Sequence, residues 1–162
     1  MKKIVVILLA LIFVFSFSGC KNVSEPEIKE GEFPFEIVYE INGETIKIND
    51  IYVCEFDGFD WNEGVGKHRK WKGYIKSSGA KELILLEDGD LKLAVSVGFP
   101  EYYMSDQSIT QIKELTPSIY YIKPNEPGGT SSGVLDIEPL LEQYKLKLVS
   151  WNFSEPIQNS FE

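Results

Sequence analysis

Apolar and polar residues alternate along the chain from Phe33 onward, and this pattern predicts β-strands. The first apolar series recurs at every second position: Phe35, Ile37, Tyr39 and Ile41. A period of two is that of a half-buried strand. Asn42-Gly43 follows and favours a two-residue hairpin loop, because both residues tolerate positive φ. Such a loop would set Tyr39 opposite Ile46, which keeps the apolar faces of the two strands together.

The segment Lys81–Gly98 has the same character, with Asp88-Gly89 as the predicted loop of a second hairpin. That loop would set Leu86 opposite Leu91. Further apolar stretches are typical of single strands: Lys70–Ser77, Pro117–Lys123 and Leu146–Phe153. Leu146–Phe153 carries apolar residues on both faces, which favours a covered strand.

One helix is predicted near the C-terminus. Asp136 is a good N-cap residue, and the apolar residues after it follow a helical period: Ile137, Leu140, Leu141 and Tyr144. Asn125–Gly133 is rich in Pro, Gly and Ser and predicts a loop. The pattern therefore indicates a β-dominated α+β domain. It would be an antiparallel sheet or sandwich of about six to seven strands, with one helix before the last strand.

The first residues of the chain have the organisation of an export signal. Lys2 and Lys3 precede the apolar run Ile4–Phe17, and the small residues Ser18 and Gly19 follow it. The run is shorter than the about 20 residues that a membrane-spanning helix needs. This arrangement predicts a cleaved signal peptide over residues 1–19.

Phe17-Ser18-Gly19-Cys20 resembles the lipobox of the type II signal peptides of bacterial lipoproteins. It matches at the two small residues and the cysteine, and departs at the first position, where leucine is usual. The resemblance implies that the Cys20 thiol takes a diacylglyceryl group and becomes the lipid-bearing N-terminus. The mature protein would then be anchored to the outer face of the bacterial cytoplasmic membrane. An ordinary secretory signal and a permanent membrane anchor are the alternatives.

The rest of the chain divides into a tether and a domain. Residues 20–32 are charged and aperiodic, which predicts a lipidated N-terminus and a flexible tether. Residues 33–162 form the predicted single globular domain. The hairpin Phe33–Phe56 and the closing segment Trp151–Ile157 resemble small lipoproteins of Gram-positive bacteria, a resemblance that implies no site and no activity.

Composition argues against one class of partner. The 162 residues have a formal net charge of −9, and removal of Lys2 and Lys3 with the signal peptide makes the chain more acidic. Such a surface repels nucleic acid, so no nucleic-acid partner is expected. Cys54 shares a strand face with Tyr52 and Phe56, which favours a buried, inert thiol.

Motifs for catalysis, metals and cofactors are incomplete. Gly129–Gly133 matches the G-x-S-x-G of hydrolases, but no histidine follows it in the chain. The acidic stretch Asp57–Gly64 does not place its oxygens as an EF-hand calcium loop requires, although a calcium site of another kind stays open. The single histidine, His68, lacks neighbours at the spacing of zinc ligands. We therefore expect no catalytic residue, no metal site and no cofactor.

The segment Asp57–Trp71 is the best candidate for a ligand-binding loop. Trp61 and Trp71 would supply stacking surface, and Lys67 and Arg69 would meet an anion. This favours a membrane-tethered, non-catalytic binding or accessory domain whose ligand is an envelope polymer or a protein.

Two other functions remain open at this point. A cell-envelope hydrolase would use paired carboxylates such as Asp57, Asp60 and Glu63, provided that they lie at the required separation. A small inhibitory or immunity-type lipoprotein would bind a protein partner through a sheet edge.

Overall fold

The structure is a computed structural model that describes residues 23–106, 114–125, 129–134 and 138–162. These parts of the chain form eight strands and two short helices. In chain order they are β1 (Glu30–Ile41), β2 (Glu44–Asn62), β3 (Gly66–Ile75), β4 (Leu83–Asp88), β5 (Leu91–Val95), α1 (Pro100–Tyr103), β6 (Ile119–Asn125), β7 (Gly129–Gly133), α2 (Glu138–Tyr144) and β8 (Lys147–Phe153). The predicted β-dominated α+β class, with a helix before the last strand, is confirmed. The described residues contain eight strands, whereas the sequence predicted about six to seven.

The strands form two antiparallel four-stranded sheets that share one core. The first sheet has the order β3-β2-β1-β8 and the second the order β4-β5-β6-β7. Each sheet contributes alternate apolar side chains to a single buried cluster, in which Ile37 of β1 and Leu93 of β5 are fully buried. The Tyr39 hydroxyl of the first sheet also donates a hydrogen bond to the Leu85 carbonyl of the second, at 3.3 Å.

The register of the first hairpin is confirmed. Tyr39 lies opposite Ile46, and both loop residues have positive φ, 51° at Asn42 and 87° at Gly43. A two-residue loop leaves only one pairing for the strands on either side of it, so the loop and the apolar pattern agree.

The predicted register of the second hairpin is wrong. Leu91 lies opposite Asp88, and Leu86 lies opposite Leu93. The loop is Gly89-Asp90 rather than Asp88-Gly89, because Gly89 takes the first loop position with a φ of 56°. Glycine at the first loop position is typical of a type II′ turn. An irregularity between Ile84 and Leu86 then turns Leu85 into the core.

Two further elements differ from the predictions. The segment predicted as a loop contains β7, which pairs with β6. The last strand is not covered: β8 forms the edge of the first sheet, and Val149 and Trp151 on it are 47% and 46% exposed. The predicted helix is confirmed as α2, whose residues Leu140, Leu141 and Tyr144 pack against the core. Its predicted cap, Asp136, lies outside the described residues.

The described part of the segment predicted as a flexible tether, residues 23–32, is bound to the domain, and its last three residues belong to β1. The Glu27 amide donates to the Ser160 carbonyl at 3.0 Å. The Asn159 side chain binds both the amide and the carbonyl of Ile28, each at 2.9 Å. These contacts join residues more than 130 positions apart, so local sequence could not predict them. The predicted signal peptide and Cys20 lie outside the described residues.

The described helices are short. None of those in the described ranges is long and apolar enough to cross a membrane.

Cys54 lies at the centre of the core. Its side chain is fully buried on β2, as its strand face predicted. Burial raises the pKa of the Cys54 thiol well above its usual range, and the nearby Glu101 carboxylate adds to the effect. The reactive thiolate is therefore suppressed at neutral pH.

We expect Cys54 to be inert in the native protein. In a Cys20→Ala variant, Cys54 is the remaining thiol of the two in the chain. Ellman's reagent at pH 7.5 should leave this variant unmodified until guanidinium unfolds it, and should then label one thiol. Stoichiometric labelling of the folded variant within seconds would contradict the burial of Cys54.

Candidate functional site

The predicted ligand-binding loop is a β-hairpin. Strands β2 and β3 continue through most of Asp57–Trp71, and the turn between them is residues 63–65. Trp61 lies opposite Lys67, and Phe59 lies opposite Arg69. Both residues of the first pair are exposed, Trp61 by 65%. Arg69 and Trp71, by contrast, are buried, so the four predicted ligand residues do not form one exposed surface.

Arg69 and Trp71 are joined by the carboxylate of Asp106. The Arg69 guanidinium donates to both Asp106 oxygens, at 2.7 Å from Nε and 2.9 Å from Nη2. The Trp71 indole N–H donates to Asp106 Oδ2 at 2.8 Å. The Asp106 side chain has no exposed area and that of Arg69 is 10% exposed. We call these three side chains the Asp106 network.

Arg69 also holds both ends of the described chain. Its Nη1 donates to the Ser24 carbonyl at 3.1 Å. The Phe161 ring lies against the guanidinium, with its centroid 4.1 Å from Cζ. The prediction that Arg69 meets the anion of a ligand is therefore corrected: the anion it meets is Asp106 of the same chain. No signal in the sequence links Arg69 to a carboxylate 37 residues away.

A groove of about 800 Å³ lies where the β3 edge of the first sheet faces the loops that enter and leave the strands of the second. A volume of this size is within the range of small-molecule sites. The groove is lined by Tyr52, Asp57, Lys70, Trp71, Lys72, Gly73, Lys81, Glu82, Ser96, Gly98, Phe99, Pro100, Leu115, Thr116, Ser118, Tyr120 and Phe153. Its lining is mostly apolar. Of the four predicted ligand residues, only Trp71 contributes to it.

Tyr52 is the most informative residue of the groove. Tyr52 is only 3% exposed, and no described residue forms a hydrogen bond with its hydroxyl. The hydroxyl lies over Gly73, where a Cβ would overlap it and would also come within 2.6 Å of Pro100 Cγ. Glycine at position 73 thus leaves room for this hydroxyl. A buried hydroxyl without a partner costs about 1–3 kcal/mol, which a bound acceptor would recover.

Both tyrosines of the groove remain hydrogen-bond donors at neutral pH. Burial raises the pKa of Tyr52 above its usual range. Burial, together with the nearby Glu82 carboxylate, raises the pKa of Tyr120 to about 12. The phenols therefore keep their protons and favour ligands that present acceptor oxygens.

Lysines surround the groove in an otherwise acidic chain. Lys70 forms an ion pair with Asp57 at 2.9 Å, and Lys72 Nζ lies 5.1 Å from the centre of the Tyr74 ring. Among the described residues, neither Lys72 nor Lys81 forms an ion pair. These two ammonium groups make the groove suitable for a ligand that combines an apolar body with acidic groups.

The carboxylates considered for hydrolysis do not converge on the groove. Asp57 lines it, whereas Asp60 and Glu63 lie towards the turn of the β2–β3 hairpin and do not. The hydrogen bond from Lys70 lowers the pKa of Asp57, so Asp57 stays ionised rather than serving as an acid. Within the described ranges, no three His, Cys, Asp or Glu side chains are grouped so as to hold a metal ion.

We expect the Asp106 network to dominate the stability of this region. Arg69→Met and Asp106→Leu should each lower the free energy of unfolding by about 3–5 kcal/mol, because each removes the opposite charge from a buried ion pair. The double variant should lose less than the sum of the two. Urea unfolding followed by circular dichroism measures these differences.

A matched control is the exposed ion pair of Lys76 and Glu32, whose side chains are 51% and 47% exposed. Lys76→Met should cost a small fraction of the Arg69→Met effect, because solvent screens exposed pairs. Equal losses in Arg69→Met and Lys76→Met would show that the Asp106 network is not the main support.

Comparisons with known proteins give no relative from which a role could be transferred. No protein-family model matches the chain, and no curated protein or solved structure is significantly similar to it. The function therefore has to be argued from the groove and its surroundings.

Proposed function

We propose that this chain is a membrane-tethered extracytoplasmic lipoprotein whose domain binds a ligand in the groove, without catalysis. The observation that carries the binding function is Tyr52, which lines the groove and whose buried hydroxyl, over Gly73, has no hydrogen-bond partner among the described residues. Buried polar groups in native proteins are nearly always paired. An unpaired donor beside a groove of about 800 Å³ favours an acceptor from outside the chain.

The groove also indicates the class of ligand. Phe99 and Tyr120 offer ring surface, and Phe99 is 49% exposed. Sugar rings and apolar side chains stack on such surfaces. Lys72 and Lys81 would meet acidic groups. A fragment of an anionic envelope polymer, with ring faces, acceptor oxygens and carboxylates or phosphates, satisfies all three features.

A protein partner is the second candidate. β3 is an edge strand of the first sheet, and Lys70–Gly73 of this strand line the groove. An extended peptide could add to such an edge and place its side chains in the groove. This arrangement would suit an inhibitory or immunity-type lipoprotein.

The lipid anchor is tested at Cys20. We expect mass spectrometry of the membrane fraction to find a diacylated cysteine at the mature N-terminus. Cys20→Ala should leave the protein unprocessed or release it from the membrane. The Cys54→Ala variant is the control, and it should keep the membrane location. An unmodified wild-type N-terminus at Cys20 would contradict the anchor.

Groove binding is tested by removing one hydroxyl. Tyr52→Phe should weaken binding about fivefold to tenfold, because a hydrogen bond contributes about 1 kcal/mol or slightly more. The same substitution should leave stability unchanged or raise it, because it removes a buried donor that has no partner. Tryptophan fluorescence, titrated with muropeptides, teichoic-acid fragments and unstructured peptides, measures the affinities and separates the two candidate functions.

Tyr103→Phe is the matched control. The Tyr103 hydroxyl donates to the Val97 carbonyl inside the core, at 2.7 Å. Its removal should lower stability by about 1 kcal/mol and leave affinity unchanged. The groove assignment would be contradicted if Tyr52→Phe lost stability as Tyr103→Phe does and bound every ligand as the wild type does.

A further inference from the structure

The turn of the β2–β3 hairpin carries an exposed apolar surface that the groove does not use. Trp61 is 65% exposed and Val65 is 48% exposed. Neither lines the groove. We refer to residues 61–67 as the hairpin tip.

The hairpin tip is held in shape by its own polar groups. The Asn62 side chain accepts hydrogen bonds from the amides of Gly64 and Val65, at 3.0 and 2.8 Å. Gly66 closes the turn with a φ of 80°. Lys67 Nζ lies 4.1 Å from the centre of the Phe59 ring. The exposure of Trp61 and Val65 therefore belongs to a defined turn rather than to an unstructured loop.

The start of the described chain lies at the base of this hairpin tip. Arg69 on β3 binds the Ser24 carbonyl, and the turn extends about 15 Å beyond Arg69 at the usual strand rise. Cys20 precedes Ser24 by four residues, which span at most about 14 Å. A lipid on Cys20 and the apolar side chains of the tip can therefore reach the same surface.

We propose that the hairpin tip docks on the lipid surface that holds the Cys20 anchor, with Trp61 and Val65 at the level of the head groups. Tryptophan favours this interfacial region. The exposed Lys67 suits the anionic head groups, and its aliphatic stem can cover apolar surface. Asp60 and Glu63 are also exposed in this part of the hairpin, so the insertion is shallow.

The anchor makes this weak contact sufficient. Two apolar side chains alone would not hold a soluble protein on a membrane, but a tethered segment binds with an effective concentration in the millimolar range. Docking would also orient the groove. Lys70 is four residues from Gly66 along β3, so the groove would begin about 13 Å from the turn.

The inference rests on the proposed lipid anchor, and its test keeps the two apart. The lipidated full chain is reconstituted in vesicles of phosphatidylglycerol and phosphatidylcholine whose acyl chains carry bromine, and tryptophan quenching is measured. Trp61→Phe should lose most of the quenching. Trp151→Phe is the matched control, because Trp151 is also exposed, by 46%, on the edge strand β8. This control should keep the quenching of the wild type.

The possible results distinguish docking of the hairpin tip on lipid from its contact with a second copy of the chain. A chain that sediments with the vesicles but is quenched equally in the wild type and Trp61→Phe would overturn tip docking and leave the anchor standing. A chain that does not sediment with them would overturn the anchor, and the docking with it. A detergent-solubilised dimer that Trp61→Phe dissociates would assign the tip to a second copy of the chain and would also overturn the inference.

Discussion

The carboxylate of Asp106 is the point on which the arrangement of β3 and both chain ends depends. It has no exposed area, and it accepts hydrogen bonds from Arg69 and Trp71 on β3. Arg69 in turn binds Ser24 and lies against Phe161. Because burial of a charge is costly unless it is paired and hydrogen-bonded, these groups have to come together as a set. Their assembly fixes the edge strand and closes both ends of the described chain onto it.

Local rules predicted the parts of the fold in which neighbouring residues decide the structure. Asn42-Gly43 set the register of the first hairpin, because a two-residue loop and the alternating faces impose the same pairing. The loop of the second hairpin was predicted one residue too early in the chain, because Gly89 can occupy either position of a two-residue turn. The packing of residues 23–29 on the C-terminal segment depends on Asn159 and Ser160, at the other end of the sequence, and no local pattern reports it.

The candidate site was predicted only in part, and the reason lies in the length of the strands. Lys67, Arg69 and Trp71 are spaced at two and share a face of β3. Their positions along the strand decide their exposure. Arg69 and Trp71 lie over the core and are buried, whereas Lys67 lies beyond the core, opposite the exposed Trp61 of β2. The groove was not predicted, because its lining is drawn from residues between Tyr52 and Phe153. Tyr52 itself was placed correctly in the core, but the sequence carries no sign that its hydroxyl lacks a partner.

β3 connects the proposed functions physically. Its first residues lie at the hairpin tip, Arg69 and Trp71 belong to the Asp106 network, and Lys70–Gly73 line the groove. In the proposed arrangement, the contact between Arg69 and Ser24 holds the start of the described chain beside β3. A lipid on Cys20, four residues before Ser24, would then lie within reach of the hairpin tip. The buried ion pair of Arg69 and Asp106 would therefore serve both proposals, because it supports β3 and holds the start of the described chain near the hairpin tip.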